Sequence, residues 1–262
     1  MSPSDHFLET QNIYFGYLPS KPVLNRVNFS ASPGRFVCIL GPNGSGKTTL
    51  LRCLLGWLKP QNGTILLNNR TLAKYSQKSL AKMLAYVPQF PSSAFAFSVR
   101  ELVLMGRFAH TGPVGLAGKK DWEIARQAMI MTHTLDFASR TLNELSGGEA
   151  QCVMIARALA QQPAVMLLDE PTSHLDISNQ IKIYRMMQRL AHDWKMAVIC
   201  VSHDINLAAR FADVLVLMRR GSVIAAGPCD QIINKDILQK TYDIDIKLIS
   251  NPFTTTPLIW AE

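Results

Sequence analysis

The amino-acid sequence predicts an α/β domain built around a mostly parallel sheet, and three observations carry that prediction. Apolar stretches of strand length recur at residues 36–40, 64–67, 84–87, 165–168, 197–201 and 214–218. Segments with helical spacing lie between them, and alternating strands and helices pack as a parallel sheet covered by helices. A glycine-rich run starting at Gly41 follows one strand directly and opens a helical stretch over 48–57.

The chain has 262 residues, 48% hydrophobic and 18% charged, enough to bury the core of one large domain or of a domain with a subdomain. No apolar run approaches the ~18–20 residues of a membrane-crossing helix. The first ten residues lack a basic segment followed by an apolar run, so no secretory signal is expected, and the chain is expected to stay in the cytosol. Five scattered cysteines without a CxxC pair read as reduced structural thiols, not as a zinc site or a disulfide framework. The formal charge of +8 suits anionic partners but identifies no site.

Residues 106–120 break the strand–helix alternation with four glycines and a proline, and a polar helical stretch follows over 121–131. Residues 93–160 therefore read as a helical insertion, with a core at 1–92 and 161–230. The extension 231–262 carries a helical pattern and ends in NPFTTTPLIWAE, whose role is not legible.

Gly41, Pro42, Asn43, Gly44, Ser45, Gly46, Lys47 and Thr48 match G-x-x-x-x-G-K-[ST], with Thr49 adding a further hydroxyl. Small residues let successive backbone N–H groups converge on phosphate oxygens at a positive helix end. Lys47 can reach the β- and γ-phosphates, and the Thr48 hydroxyl can ligate Mg²⁺. The apolar run 165–168 ends in Asp169 and Glu170, a Walker B pattern. Asp169 is expected to hold Mg²⁺ through water, and Glu170 to orient or deprotonate the attacking water.

Leu145, Ser146, Gly147, Gly148 and Glu149 upstream of those acids are more discriminating. With them the chain resembles the ABC ATPase family over nearly its whole length. The resemblance implies a P-loop NTPase (RecA-like) core with an antiparallel β subdomain and an inserted α-helical subdomain. It also implies that the loop of Ser146, Gly147, Gly148 and Glu149 meets the γ-phosphate of ATP held by the opposite subunit of a dimer. Gln89 resembles the Q-loop glutamine that touches Mg²⁺ and the attacking water. Ser173, His174, Leu175 and Asp176 resemble the D-loop crossing the dimer interface. His203 is similar to the switch histidine that contacts the γ-phosphate, and Tyr17 to the aromatic residue that stacks on adenine. Departures are Ala150 and Cys152, which flank Gln151 where basic residues are common, His174, where alanine is common, and Thr48, which replaces the commoner serine and keeps the hydroxyl.

One P-loop and one signature in one chain mean that two complete composite sites require two copies or a paralogous partner, and a homodimer is the simpler expectation. The lack of a fused membrane segment points to separate transmembrane permease subunits and so to an importer, with a substrate-binding protein acting on the permease. A finer resemblance, to the ATPases of importers for iron-siderophore, haem, vitamin B12 and molybdate, lies in residues 85–89, Phe95, Phe97, Ser98, Val99, residues 103–107 and His110. In that family the first part of the helical insertion receives the permease's coupling helix. The apolar segment 90–97 suits such docking, since aromatic anchors commonly dominate interfaces. The cytoplasmic face of the cell membrane is then the expected location, and no nucleic-acid partner is expected. A soluble ABC ATPase serving cofactor assembly is the alternative, and a subunit with decayed catalysis is disfavoured by the intact Lys47, Gln89, Asp169, Glu170 and His203.

Overall fold

A computed structural model describes residues 7–18, 20–90, 96–111, 115–250 and 257–261. The chain divides into two compact units, Met1–Tyr75 with Met187–Glu262, and Ser76–Met186.

In the first unit, β1 (Leu8–Phe15) pairs antiparallel with β2 (Leu24–Ala31). Leu8, Thr10, Ile13 and Phe15 of β1 are buried. A shift of register after Thr10, with Asn12 at φ 52°, inserts two exposed residues before the buried alternation resumes. The following β3 (Phe36–Leu40) is buried at every position and leads through the glycine-rich loop into α1 (Lys47–Leu54). Next, β4 (Asn62–Leu67) returns antiparallel to β1 and carries β5 (Arg70–Thr71), giving a sheet in the order β2-β1-β4-β5. The stretch 64–67 thus belongs to this antiparallel sheet and not to the parallel one.

The second unit runs through α2 (Gln77–Met83), β6 (Leu84–Val87), α3 (Val99–Leu104), α4 (Phe108–Thr111), α5 (Lys119–Met131), α6 (Gly147–Ala160) and β7 (Val165–Asp169). It ends within α7 (Ile177–His192). Helices α3, α5 and α6 pack on one another, and Val99 and Val103 of α3, Ala125 and Ala128 of α5, and Val153 and Ile155 of α6 are buried. Strands β6 and β7 are parallel, with Val87 opposite Leu168. Two residues further along, Gln89 and Glu170 therefore leave the strand ends at the same level.

The chain re-enters the first unit with β8 (Ala197–Val201), α8 (Ile205–Phe211), β9 (Val214–Arg219) and β10 (Ser222–Pro228). Parallel pairing of β3 with both β8 and β9 buries these strands on both faces, which is why they read as unbroken apolar runs. The extension folds as α9 (Cys229–Ile232), α10 (Lys235–Tyr242) and an antiparallel hairpin of β11 (Ile246–Ile249) and β12 (Leu258–Ala261). Asn206 of α8 clasps this hairpin. Its Nδ2 donates to the Ile259 carbonyl at 3.1 Å and its Oδ1 accepts from the Ile259 N–H at 2.8 Å.

The α/β core, antiparallel sheet and helical segment agree with the fold expected from the sequence. None of the five cysteines is in a disulfide. Burial pushes the Cys53 and Cys229 thiols up to about 12 and Cys152 to about 11, so all three stay protonated at neutral pH. Among the described residues, no helix is long and apolar enough to cross a membrane.

Candidate functional site

The glycine-rich loop depends on close backbone approaches that only glycine permits. Gly41, at φ 147°, lies so near the Met218 carbonyl that a Cβ would sit 2.0 Å from its oxygen. Gly46, at φ 99°, caps α1, and its Cβ would meet the Val23 carbonyl at 2.8 Å. The Gly221 N–H donates to the Ser45 carbonyl at 3.1 Å and bolts the loop to the turn between β9 and β10. Lys47, though buried, donates from Nζ to the Gly41 carbonyl at 2.8 Å and the Pro42 carbonyl at 3.1 Å. Its ammonium is thereby held inside the loop at the head of α1. Ser45 Oγ is buried without a hydrogen-bond partner, an acceptor and donor facing the same loop.

Tyr17 is 55% exposed, which leaves its ring open to a flat ligand, and its hydroxyl is 3.4 Å from Arg52 Nη1 on α1. At the end of β8 the Ser202 N–H donates to the Ile39 carbonyl at 3.1 Å, and Ser202 Oγ accepts from the Asp204 N–H at 3.1 Å. Asp204 then caps α8 by accepting from the Leu207 N–H at 2.8 Å. His203 is an exposed residue held between these two anchors.

In the second unit the expected Q-loop, acidic, D-loop and signature residues form a closed circuit. Gln89 Nε2 donates to Glu170 Oε2 at 2.9 Å, and Ser173 Oγ donates to the same oxygen at 3.2 Å. Glu170 itself has φ 47°, a conformation rare for a non-glycine residue. Asp169 is buried at the end of β7, 3.5 Å from the Tyr86 hydroxyl. Asp176 accepts from the Asn179 N–H at 2.8 Å and from its Nδ2 at 2.9 Å. Asn179 in turn packs on Gly148, where a Cβ would come within 2.7 Å of Asn179 Cγ. The circuit closes through Gln151 of α6, whose Nε2 donates to the Pro88 carbonyl at 3.2 Å.

Ser146 caps α6 as expected. Its Oγ accepts from the Glu149 N–H at 3.4 Å, while the Ser146 N–H donates to Glu149 Oε2 at 2.8 Å. The Ser146 backbone and hydroxyl donors hold the Glu149 carboxyl below its ordinary value of 4.5, so it stays ionised at the N-terminus of the helix.

The sequence assigns no site role to Tyr86, Gln151 or Asn179. Tyr86, a polar-tipped residue inside an otherwise apolar strand, offered a signal there. Gln151 was noted only for its altered neighbours. Asn179 lies three residues from its hydrogen-bond partner Asp176, but its packing on Gly148 joins segments distant in sequence and left no local signal. Of the finer motif, Arg107 and His110 turn out to brace the end of α6. Arg107 is buried, donating to Asp121 Oδ1 at 2.9 Å and to the Ala160 carbonyl at 2.8 Å, and His110 Nε2 lies 2.8 Å from the Gln161 carbonyl. Both sit where unpaired helix carbonyls gather. Phe95 lies outside the described residues.

Fold and loop together define an ATP-binding P-loop ATPase. The ABC transporter family matches residues 24–173. The chain is 39% identical to the hemin import ATP-binding protein HmuV of Escherichia coli over 96% of this chain and 98% of that one. It is 34% identical to the iron(3+)-hydroxamate import ATP-binding protein FhuC of Bacillus subtilis, covering 96% and 93% of the two chains. Among solved structures, a metal-chelate type ABC transporter in an inward-facing conformation superposes with a TM-score of 0.86 at 30% identity over 98% of each chain. A dimeric bacterial ABC transporter cassette gives 0.74 at 29% identity, over 85% of this chain and 98% of that one. The chain belongs to the ABC transporter family.

Proposed function

We propose that this chain is the ATP-hydrolysing subunit of an ABC importer, working as a homodimer on separate permease subunits at the cytoplasmic face of the membrane. Its cargo is an iron-siderophore, haem or a related metal complex, as for the relatives FhuC and HmuV. The observation that carries this reading is the circuit Gln89–Glu170–Ser173, Asp176–Asn179–Gly148 and Gln151–Pro88. It ties the residue proposed to activate water to both loops proposed to face a second subunit.

In this reading the amides of Gly44, Ser45, Gly46, Lys47, Thr48 and Thr49 and the Lys47 ammonium bind the nucleotide phosphates, and Tyr17 stacks on adenine. Glu170 accepts the proton of the attacking water, with Gln89 holding the carboxylate, and His203 contacts the γ-phosphate. The Ser146 loop of the opposite subunit stabilises charge on that phosphate. Thr48 in the first unit, and Asp169 and Gln89 in the second, each offer a hard oxygen donor of the kind Mg²⁺ takes beside nucleotide oxygens. When bound, Mg²⁺ neutralises charge developing on the phosphates.

For the permease, the second unit offers a groove of about 530 Å³ lined by Phe97, Leu104, Met105, Phe108 and Trp122 with Arg100. Phe108 is 54% and Trp122 42% exposed, so these rings are available as anchors. Co-expression with candidate polytopic subunits and purification from membranes tests the assignment. A stable complex with ATP hydrolysis is expected, whereas an active ATPase that stays entirely in the soluble fraction, complexed with a cofactor-assembly protein, would refute it.

A further inference from the structure

The hydrogen bonds that Gln89 and Ser173 make to Glu170 have ring-bearing neighbours one residue along, Phe90 after Gln89 and His174 after Ser173. The rings of Phe90 and His174 stack with centroids 5.7 Å apart and planes 25° from parallel. Phe90 is 60% exposed, so core burial does not explain its placement. His174 has φ 64°, a left-handed conformation in which histidine is enriched among non-glycine residues. The turn before it is fixed, because the Ser173 N–H donates to the Glu170 carbonyl at 3.1 Å and the Leu175 N–H to the Thr172 carbonyl at 3.3 Å. The imidazole is thus held by the backbone against the phenylalanine.

We propose that Phe90 and His174 are positioning residues for ATP hydrolysis, their stacked rings fixing the segment after Gln89 to the loop after Glu170. The two segments are then joined by two parallel links, the Gln89 hydrogen bond to Glu170 and the ring stack beside it, while Ser173 ties its own turn to the same carboxylate. One hydrogen bond at a carboxylate leaves the amide free to swing, whereas a second contact one residue away fixes the direction of approach. The stack also gives the histidine at this position, where alanine is common, a definite task. It rests on the reading that Glu170 and Gln89 act in hydrolysis.

The test is steady-state hydrolysis of magnesium-ATP by the full-length chain carrying His174→Asn, Phe90→Leu, both together, or Phe90→Tyr. Asparagine keeps the left-handed backbone while removing the ring, and tyrosine keeps the stack. Each single ring loss is expected to lower kcat by about three- to tenfold, the range an aromatic pair supplies, with KM within about twofold. The double variant should be no slower than the slower single, and Phe90→Tyr should retain wild-type kcat. A wild-type kcat in either single variant, multiplicative losses in the double, or a loss in Phe90→Tyr equal to that in Phe90→Leu would overturn the proposal. Glu170→Gln measured alongside separates the two claims. If it retains full activity, the underlying reading of Glu170 fails; if it is inactive, the ring variants alone decide the proposal.

Discussion

Gln89 Nε2 donates to Glu170 Oε2 at 2.9 Å, although 81 residues separate them in the chain. The parallel register of β6 and β7 brings both to one level, so the contact follows directly from strand pairing. Glu170→Gln keeps the size of the side chain but cannot accept a proton as a carboxylate does. Hydrolysis is expected to fall by about 10²–10⁴-fold with ATP binding retained. ATP-loaded dimers should accumulate on size-exclusion chromatography, and a wild-type rate would remove Glu170 from the role of base.

Ser146→Arg is expected to abolish turnover of the homodimer while leaving ATP binding at its own Lys47 and Thr48. The side chain would obstruct phosphate contact across the interface and remove the hydroxyl that caps α6. Mixing this variant with Lys47→Ala should regenerate one composite site with two wild-type halves. Nucleotide binding by filter retention and turnover of the mixture are the readouts, and full turnover in the Ser146→Arg homodimer would contradict composite sites.

Arg107→Ala is expected to destabilise the second unit by about 3 kcal/mol, because it strands Asp121 and the carbonyl of Ala160. Arg107→Lys should restore only part, since one ammonium cannot serve both directions. The Arg107 guanidinium, together with the Gly118 N–H, holds the Asp121 carboxyl below its ordinary 3.8. A depressed carboxylate contributes stability above its ordinary value and loses it as pH falls through the lowered one. The wild type should therefore lose stability in that acid range, and Arg107→Ala should lose less there, as read by thermal denaturation across pH.

Phe97→Ala and Phe108→Ala are expected to weaken attachment to the permease by roughly thirtyfold, equivalent to ~2 kcal/mol, and to affect basal hydrolysis less. Melting temperatures distinguish an anchor from a core residue, whose loss costs about 3–5 kcal/mol of folding. Folded variants that bind and support import like the wild type would remove the groove from docking.

The legible parts of the molecule were those whose signal is local. Strands β3, β6, β7, β8 and β9 are unbroken apolar runs, and the loop from Gly41 to Thr48 is fixed by its own glycines. The bulge at Asn12 breaks the alternation of β1 and hid that strand. The β11–β12 hairpin was hidden because its pairing joins Ile246 to Ala261 across an intervening stretch without strand signals. Gly148 against Asn179 and Phe90 against His174 are contacts between distant segments, which no local pattern announces. Arg107 carried only a family resemblance in the sequence, because the sequence gives its neighbours along the chain and not the end of α6 that it braces.

The central claim, that ATP hydrolysis at this site drives import, is tested most directly by cargo uptake. The chain and its permease would be reconstituted in vesicles with iron-hydroxamate or hemin supplied on the side opposite the ATPase. Uptake should require magnesium-ATP on the ATPase side and vanish in Glu170→Gln. Uptake that continues undiminished in Glu170→Gln, or in the absence of ATP, would contradict the account.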